Sequence, residues 1–186
     1  MVAMGIQCIP VFETERLLLV PLRLLDAPSI QTKFPRWEIV KFMNANIPWP
    51  YPGDGALTFL RDFAIPAMEK GVEWHWSLRL KENSDELIGV ISLHDYPDDN
   101  RGFWLCPEWQ GRGLMTEACN AVTDFWFNKL NRKLLRAPKA SQNLASRRIS
   151  VCSGMRLVWT GERDYVCGRE RGEIWEITAE EWNARI

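Results

Sequence analysis

The sequence predicts an α/β (α+β) chain built on a mixed, mostly antiparallel central sheet of six or seven strands with flanking helices. Three observations predict it. Glu73–Lys81 alternates, with Trp74, Trp76, Leu78 and Leu80 on one face and Glu73, His75, Ser77 and Arg79 on the other. After turn chemistry at Glu82-Asn83-Ser84-Asp85 the chain returns as Leu87–His94, and Pro97-Asp98-Asp99-Asn100 turns it again into the aromatic strand 102–106. That strand runs through a glycine loop into apolar residues at helical spacing (Met115, Ala118, Val122, Phe125), and Lys133–Ala137 reads as the next strand. A crossover helix between 102–106 and 133–137 makes these two the expected parallel neighbour pair.

The other elements follow in order. Thr14–Leu22 is a first strand closed by Pro21, and Asp26 caps a short helix with Pro28 in its first turn. Arg36–Asn44 is a second short helix, with Trp37, Val40 and Met43 on one face. Ile47–Gly53 carries proline at every second position, so it is an extended loop presenting Trp49 and Tyr51. A longer helix starts at Asp54 or Thr58 and ends at Gly71, with Pro66 expected to kink or break it. Pro138 removes a ladder donor just beyond 133–137. Asn143-Leu144-Ala145-Ser146 opens a helix that reaches about Cys152 and stops at Gly154. Arg156–Thr160 and Glu173–Thr178 are the last strands, joined by the polar segment 161–172, and 179–182 is a tail turn.

At 186 residues the chain is read as one domain, 1–186 with its core at about 14–182, large enough to fold without staples. A net charge of −1 offers no basic field for nucleic acid or anionic membrane. The five cysteines (Cys8, Cys106, Cys119, Cys152, Cys167) are scattered without a Cys-x-x-Cys pair, and His75 and His94 are the only histidines, which speaks against a metal site and against a disulfide framework. Met1–Val11 lacks a charged n-region and a long apolar core, so no signal peptide is expected. The expected setting is cytoplasmic, as a monomer or homodimer.

Gly111 and Gly113 let the backbone turn sharply and approach another molecule closely. Arg112 and the N–H groups of the following helix start complete a natural pyrophosphate cradle. The run Gln110-Gly111-Arg112-Gly113-Leu114-Met115 resembles the acyl-CoA fingerprint of the GNAT N-acetyltransferase superfamily, Gln/Arg-x-x-Gly-x-Gly/Ala. Gln110 and Gly113 fit, while Met115 stands where a small residue is usual. Thr14-Glu15-Arg16-Leu17 and Asn143-x-x-Ser146 followed by Gly154-Met155 are similar to the ribosomal-protein N-terminal (RimJ/RimL-like) branch. The resemblance implies the GNAT fold and acetyl transfer from acetyl-CoA, as co-substrate, to a primary amine: a protein or peptide N-terminus, or a small amine.

It also implies site residues. The backbone of Trp104, Leu105 and Cys106 holds the pantetheine in a gap between splayed strands, much as a strand would. Gln110, Gly111, Arg112, Gly113, Leu114, Met115 and Thr116 hold the pyrophosphate. Asn143 and Ser146 lie near the thiol, Ser146 or Tyr165 protonates the leaving thiolate, and the 47–53 loop with Trp49 and Tyr51 walls the acceptor pocket. The base is open among His94, Asp95, Glu162 and Asp164, and the family's carboxylate position before the strand glycine is Asn100. Cys106 as a covalent nucleophile lacks a neighbouring histidine to activate it. An acyl-CoA-binding module without turnover is the rival function.

Overall fold

The computed structural model describes residues 9–185. Cys8 and most of Met1–Val11 lie outside the described residues. Strands β1 (Phe12–Glu13), β2 (Leu17–Pro21), β3 (Glu73–Leu80), β4 (Asn83–His94) and β5 (Arg101–Leu105) form one antiparallel sheet in that order. Strands β6 (Leu134–Ala140), β7 (Arg156–Tyr165) and β8 (Gly168–Thr178) form a second antiparallel sheet in the order β6-β8-β7.

Alternation in the first sheet feeds two cores. On one face Trp74, Trp76, Leu78, Ile91 and Leu93 pack against Ala118, Cys119, Val122 and Trp126 of the crossover helix α5. On the other, Leu87, Val90 and Trp104 pack against Ile30, Phe34, Val40, Leu60 and Ala64 of the N-terminal helices. The polar face of β3 is therefore buried, and its groups are bonded: the Ser77 hydroxyl donates to the Val20 carbonyl, and Arg79 donates to Asp26 at 2.6 Å.

Helices α1 (Ala27–Lys33), α2 (Trp37–Val40), α3 (Gly55–Phe59) and α4 (Ile65–Glu69) match the expected positions, although α2 is shorter than 36–44. Between α3 and α4 the expected break takes the form of a π-helical turn, Leu60–Ala64, so Pro66 falls in the first turn of α4, where its missing N–H costs no bond. Helix α5 runs Leu114–Asn128, α6 Leu144–Cys152 and α7 Ala179–Asn183.

Three strand expectations are corrected. The turn read at Glu82-Asn83-Ser84-Asp85 is confined to Lys81 and Glu82, because β4 already starts at Asn83, which pairs with Leu80. The segment 161–172 is not a polar connection but the arms of the β7–β8 hairpin. Its charges face each other across the ladder, Glu162 opposite Arg171, Arg163 opposite Glu170 and Asp164 opposite Arg169, which stabilises pairing in an apparently loop-like sequence. Nor do β5 and β6 share a parallel ladder, because they belong to different sheets. Strand β6 continues through Pro138, which pairs with Ile174 on β8. Proline is tolerated there because β6 is an edge strand, its other side turned toward β5.

Candidate active site

The two sheets are pinned together at Asn100. Its backbone N–H donates to the Arg136 carbonyl and its Oδ1 accepts from the Arg136 N–H, both at 2.7 Å. Its Nδ2 donates to the carbonyls of His94 and Tyr96 at 3.1 and 2.5 Å. Beyond this pin β5 pairs with β4 alone and β6 with β8 alone. The facing edges keep backbone N–H and C=O groups available to an extended amide chain.

At the far end of β5 a short 3-10 turn, Pro107–Trp109, leads into the glycine loop. Gly111 and Gly113 have φ of 74° and 77°, in the left-handed region that favours glycine. Helix α5 has no side-chain cap among the described residues, and its first bond runs from the Glu117 N–H to the Gly113 carbonyl. The N–H groups of Leu114, Met115 and Thr116 are thus left without intrahelical partners, as an anion requires. The Met115 side chain is buried in the core, so a bulky residue there does not obstruct the loop.

The loop is held from the N-terminus. Glu117 accepts from the Thr14 hydroxyl and from Arg16, whose Nη1 also donates to the Arg112 carbonyl at 2.9 Å. Burial opposes the Glu117 charge, yet these bonds hold its carboxyl below the usual range. This explains what Thr14-Glu15-Arg16 contributes. Gln110 donates to the Leu105 carbonyl at 2.8 Å, fixing the loop to the end of β5, and the Arg112 guanidinium lies 4.8 Å over the Trp109 ring.

On the α5/α6 side of the gap, Asn143 caps α6 by accepting from the Ser146 N–H at 3.1 Å. The Ser146 hydroxyl accepts from Lys139 Nζ at 3.1 Å, which leaves its own proton free to be donated. Lys139, absent from the sequence-based set, stands at the core-facing position after Leu135 and Ala137, with Nζ 5.5 Å over the Phe103 ring. Burial, with repulsion from Arg101, lowers its pKa to about 7.

Tyr165 lies on the opposite face. A Cβ on Gly172 would come within 2.8 Å of the Tyr165 hydroxyl, whereas the next residue, Glu173, faces Arg147 of α6. The two expected thiol partners therefore flank the second sheet rather than sit together. The Tyr165 hydroxyl is buried without a hydrogen-bond partner among the described residues, and burial raises its pKa. The hairpin tip is strapped to the end of α2 by Val166 to Met43 and Cys167 to Lys41 backbone bonds.

On this same side Tyr51 packs edge-on to Phe34, which in turn contacts Trp104 of β5. Trp49 instead stacks on Trp37 and is 42% exposed, at the rim. A groove of about 500 Å3, lined by Asp98, Arg136, Val158, Trp159, Arg163 and Ile174, opens beside the Asn100 pin. It was invisible in the sequence because its wall is assembled from Asp98 before β5, Arg136 on β6, Val158, Trp159 and Arg163 on β7 and Ile174 on β8, which only the fold brings together.

His94 sits against Gly102, and its Nδ1 lies 3.8 Å from Asp99. Neighbouring Glu73 accepts from His75 at 2.5 Å and from the Tyr96 hydroxyl. Burial lowers the His75 pKa. Donor atoms of Glu73, His75 and His94 fall within 4.8 Å of one another, but Glu73 is already engaged by its two donors. Asp95 is paired with Arg132 and Glu162 with Arg169, so both carboxylates are already engaged by cations. The Cys106 thiol is buried and pushed up in pKa, as a packing residue is.

A family model described as the acetyltransferase (GNAT) domain matches residues 16–156. The chain belongs to the GNAT acetyltransferase family. It is 27% identical over 150 residues to the uncharacterized N-acetyltransferase YoaA of Bacillus subtilis, covering 78% of this chain and 82% of that one. Its fold is similar to the ribosomal-protein-S5-alanine acetyltransferase of Vibrio fischeri (TM-score 0.78, 18% identity, 93% and 98% of the two chains). It is equally similar to Mycobacterium smegmatis RimJ in complex with CoA-disulfide (TM-score 0.78, 16% identity, 92% and 88%). The RimJ/RimL-like expectation is thus matched in fold. As a GNAT enzyme the chain transfers acetyl from acetyl-CoA to an amine. No helix among the described residues is long and apolar enough to cross a membrane.

Proposed function

We propose that the acceptor is the α-amino group of a protein or peptide, which enters from the Tyr165 side of the β5–β6 gap. The observation that carries this is the groove beside Asn100. It is broad, charged at Asp98, Arg136 and Arg163, and walled by Val158 and Trp159, which are 44% and 41% exposed. An enclosed apolar pocket suits a small amine, whereas an open groove with alternating charged and apolar walls suits an extended chain terminus. The likeness in fold to a ribosomal-protein-S5-alanine acetyltransferase supports the same reading. The enzyme is proposed to act in the cytoplasm as one catalytic domain.

In this reading backbone groups of Trp104–Cys106 bind the pantetheine, Gln110–Thr116 bind the pyrophosphate, and Asn143 orders the start of α6. Ser146 donates its proton to the departing sulfur, the interaction most needed in the transition state. A backbone N–H at the gap stabilises the oxyanion. Positioning supplies much of the rate, and water relays the acceptor's proton toward His94 and Asp99. The test is a panel of N-terminal peptides and small amines with acetyl-CoA, read by thiol release and product mass. Peptides acetylated at the α-amine are expected. Transfer to small amines alone, or binding of acetyl-CoA with no transfer at all, overturns the proposal.

A further inference from the structure

Among the described residues Lys139 is the one buried lysine, and its hydrogen-bond partner is a hydroxyl placed at the proposed reaction centre. It is 5% exposed and reaches from β6 across the gap to Phe103 on β5, donating to Ser146 on α6. The charged and titratable groups around it are Arg101 on β5, Asp99 before β5, Cys119 on α5 and Glu173 on β8. The Glu173 carboxylate is already bound by Arg147 at 2.9 Å and by the Trp175 indole N–H at 2.8 Å. Arg101 donates to Thr123 at 2.7 Å and to the Met155 sulfur. The ammonium therefore has no carboxylate of its own, which is the condition that favours the neutral amine.

We propose that Lys139 is an internal acyl acceptor, acetylated at Nζ by acetyl-CoA bound in the β5–β6 gap. The inference rests on the placement of the thioester proposed above. In the step, the Nζ lone pair attacks the thioester carbonyl carbon, the N–C bond forms, and the C–S bond breaks with its electron pair leaving on sulfur. The proton shed by nitrogen passes through the hydrogen-bonded Ser146 hydroxyl to the thiolate. The products are Nζ-acetyl-lysine and free CoA thiol, with no other reactant needed. With a pKa of about 7, roughly half of Lys139 is free amine at neutral pH. An ordinary lysine is neutral on the order of a thousandfold less often. Its lower basicity offsets part of that gain, so an advantage of about a hundredfold over exposed lysines is expected.

The test incubates the full chain with acetyl-CoA and maps acetylation by mass spectrometry on either side of neutral pH. Binding of CoA is measured in parallel by titration calorimetry. A single acetyl on Lys139 is expected, its rate rising with pH through about 7 and level above it. Exposed Lys70, Lys81 and Lys129 should acetylate more slowly, at rates still rising in alkali. The preference should vanish in urea, and Lys139→Arg should remove the modification. Saturable CoA binding with Lys139 unmodified overturns this inference and leaves the proposed function standing. Absence of saturable CoA binding defeats the proposed site itself, and the inference with it.

Discussion

Asn100→Asp exchanges one atom and should separate the two sheets. Asn100 is 6% exposed, and its amide gives two hydrogen bonds to carbonyls while taking one from Arg136. Aspartate can still accept from Arg136, but it loses both donors and sets a carboxylate oxygen against two carbonyl oxygens. Two lost bonds cost about 1 kcal/mol each, and leaving the carbonyls unsatisfied beside an anion adds about 1–3 kcal/mol. The expected destabilisation at neutral pH is therefore about 3–5 kcal/mol. Asn100→Ala loses all three bonds, about 3 kcal/mol, but sets no anion against the carbonyls, so it should cost no more than the aspartate variant. Protonation restores one donor, so the folded-state pKa of the new carboxyl should rise above its unfolded value of about 3.9. The folded state then binds more protons than the unfolded, and the penalty should shrink as pH falls through that raised value. Urea denaturation of the three proteins at neutral and acid pH measures this. A loss below about 1 kcal/mol, or an alanine variant less stable than the aspartate variant at neutral pH, would refute the pin.

The remaining predictions concern the gap itself. Gly113→Val should cost only about 1–2 kcal/mol of stability for its left-handed φ, because the nearest atom to an added Cβ is Arg16 Nη2 at an ordinary 3.5 Å. Acetyl-CoA binding by calorimetry should nevertheless fall at least about tenfold, and undiminished affinity removes the loop from the site. Ser146→Ala should lower kcat about tenfold to a thousandfold with the acetyl-CoA Kd nearly unchanged. Normal turnover there with a crippled Tyr165→Phe would assign the thiol proton to Tyr165 instead.

The strands and helices were legible because their periodicity is local: β3, α5 and α6 each appear where alternation or helical spacing places them, and β4 does so from Leu87 onward, its start at Asn83 being masked by residues of turn chemistry. The glycine loop was legible for the same reason, since its turn, its helix start and Arg112 are contiguous. The β7–β8 arms escaped because cross-strand charge pairs such as Arg163 with Glu170 look, one strand at a time, like a solvated connection. Asn100 read as a missing carboxylate. The structure shows why an amide stands there, since only a group that both donates and accepts can join His94, Tyr96 and Arg136.

Lys139 marks where such reading stops. Its signal was present: counting by twos from Leu135 through Ala137 places a charge on a core-facing strand position. What the count cannot supply is the partner, because Ser146, Phe103 and Arg101 reach it from α6 and β5 only after the sheets have parted. A buried cation beside a hydroxyl is costly to stability, since desolvation disfavours the charge and a single neutral acceptor does not restore what water gave. An apolar residue would close the gap between β5 and β6 more cheaply. That a titratable amine stands there, against the folding optimum, is the observation on which the proposal for Lys139 rests, and the pH dependence of its acetylation is the quantity that tests it.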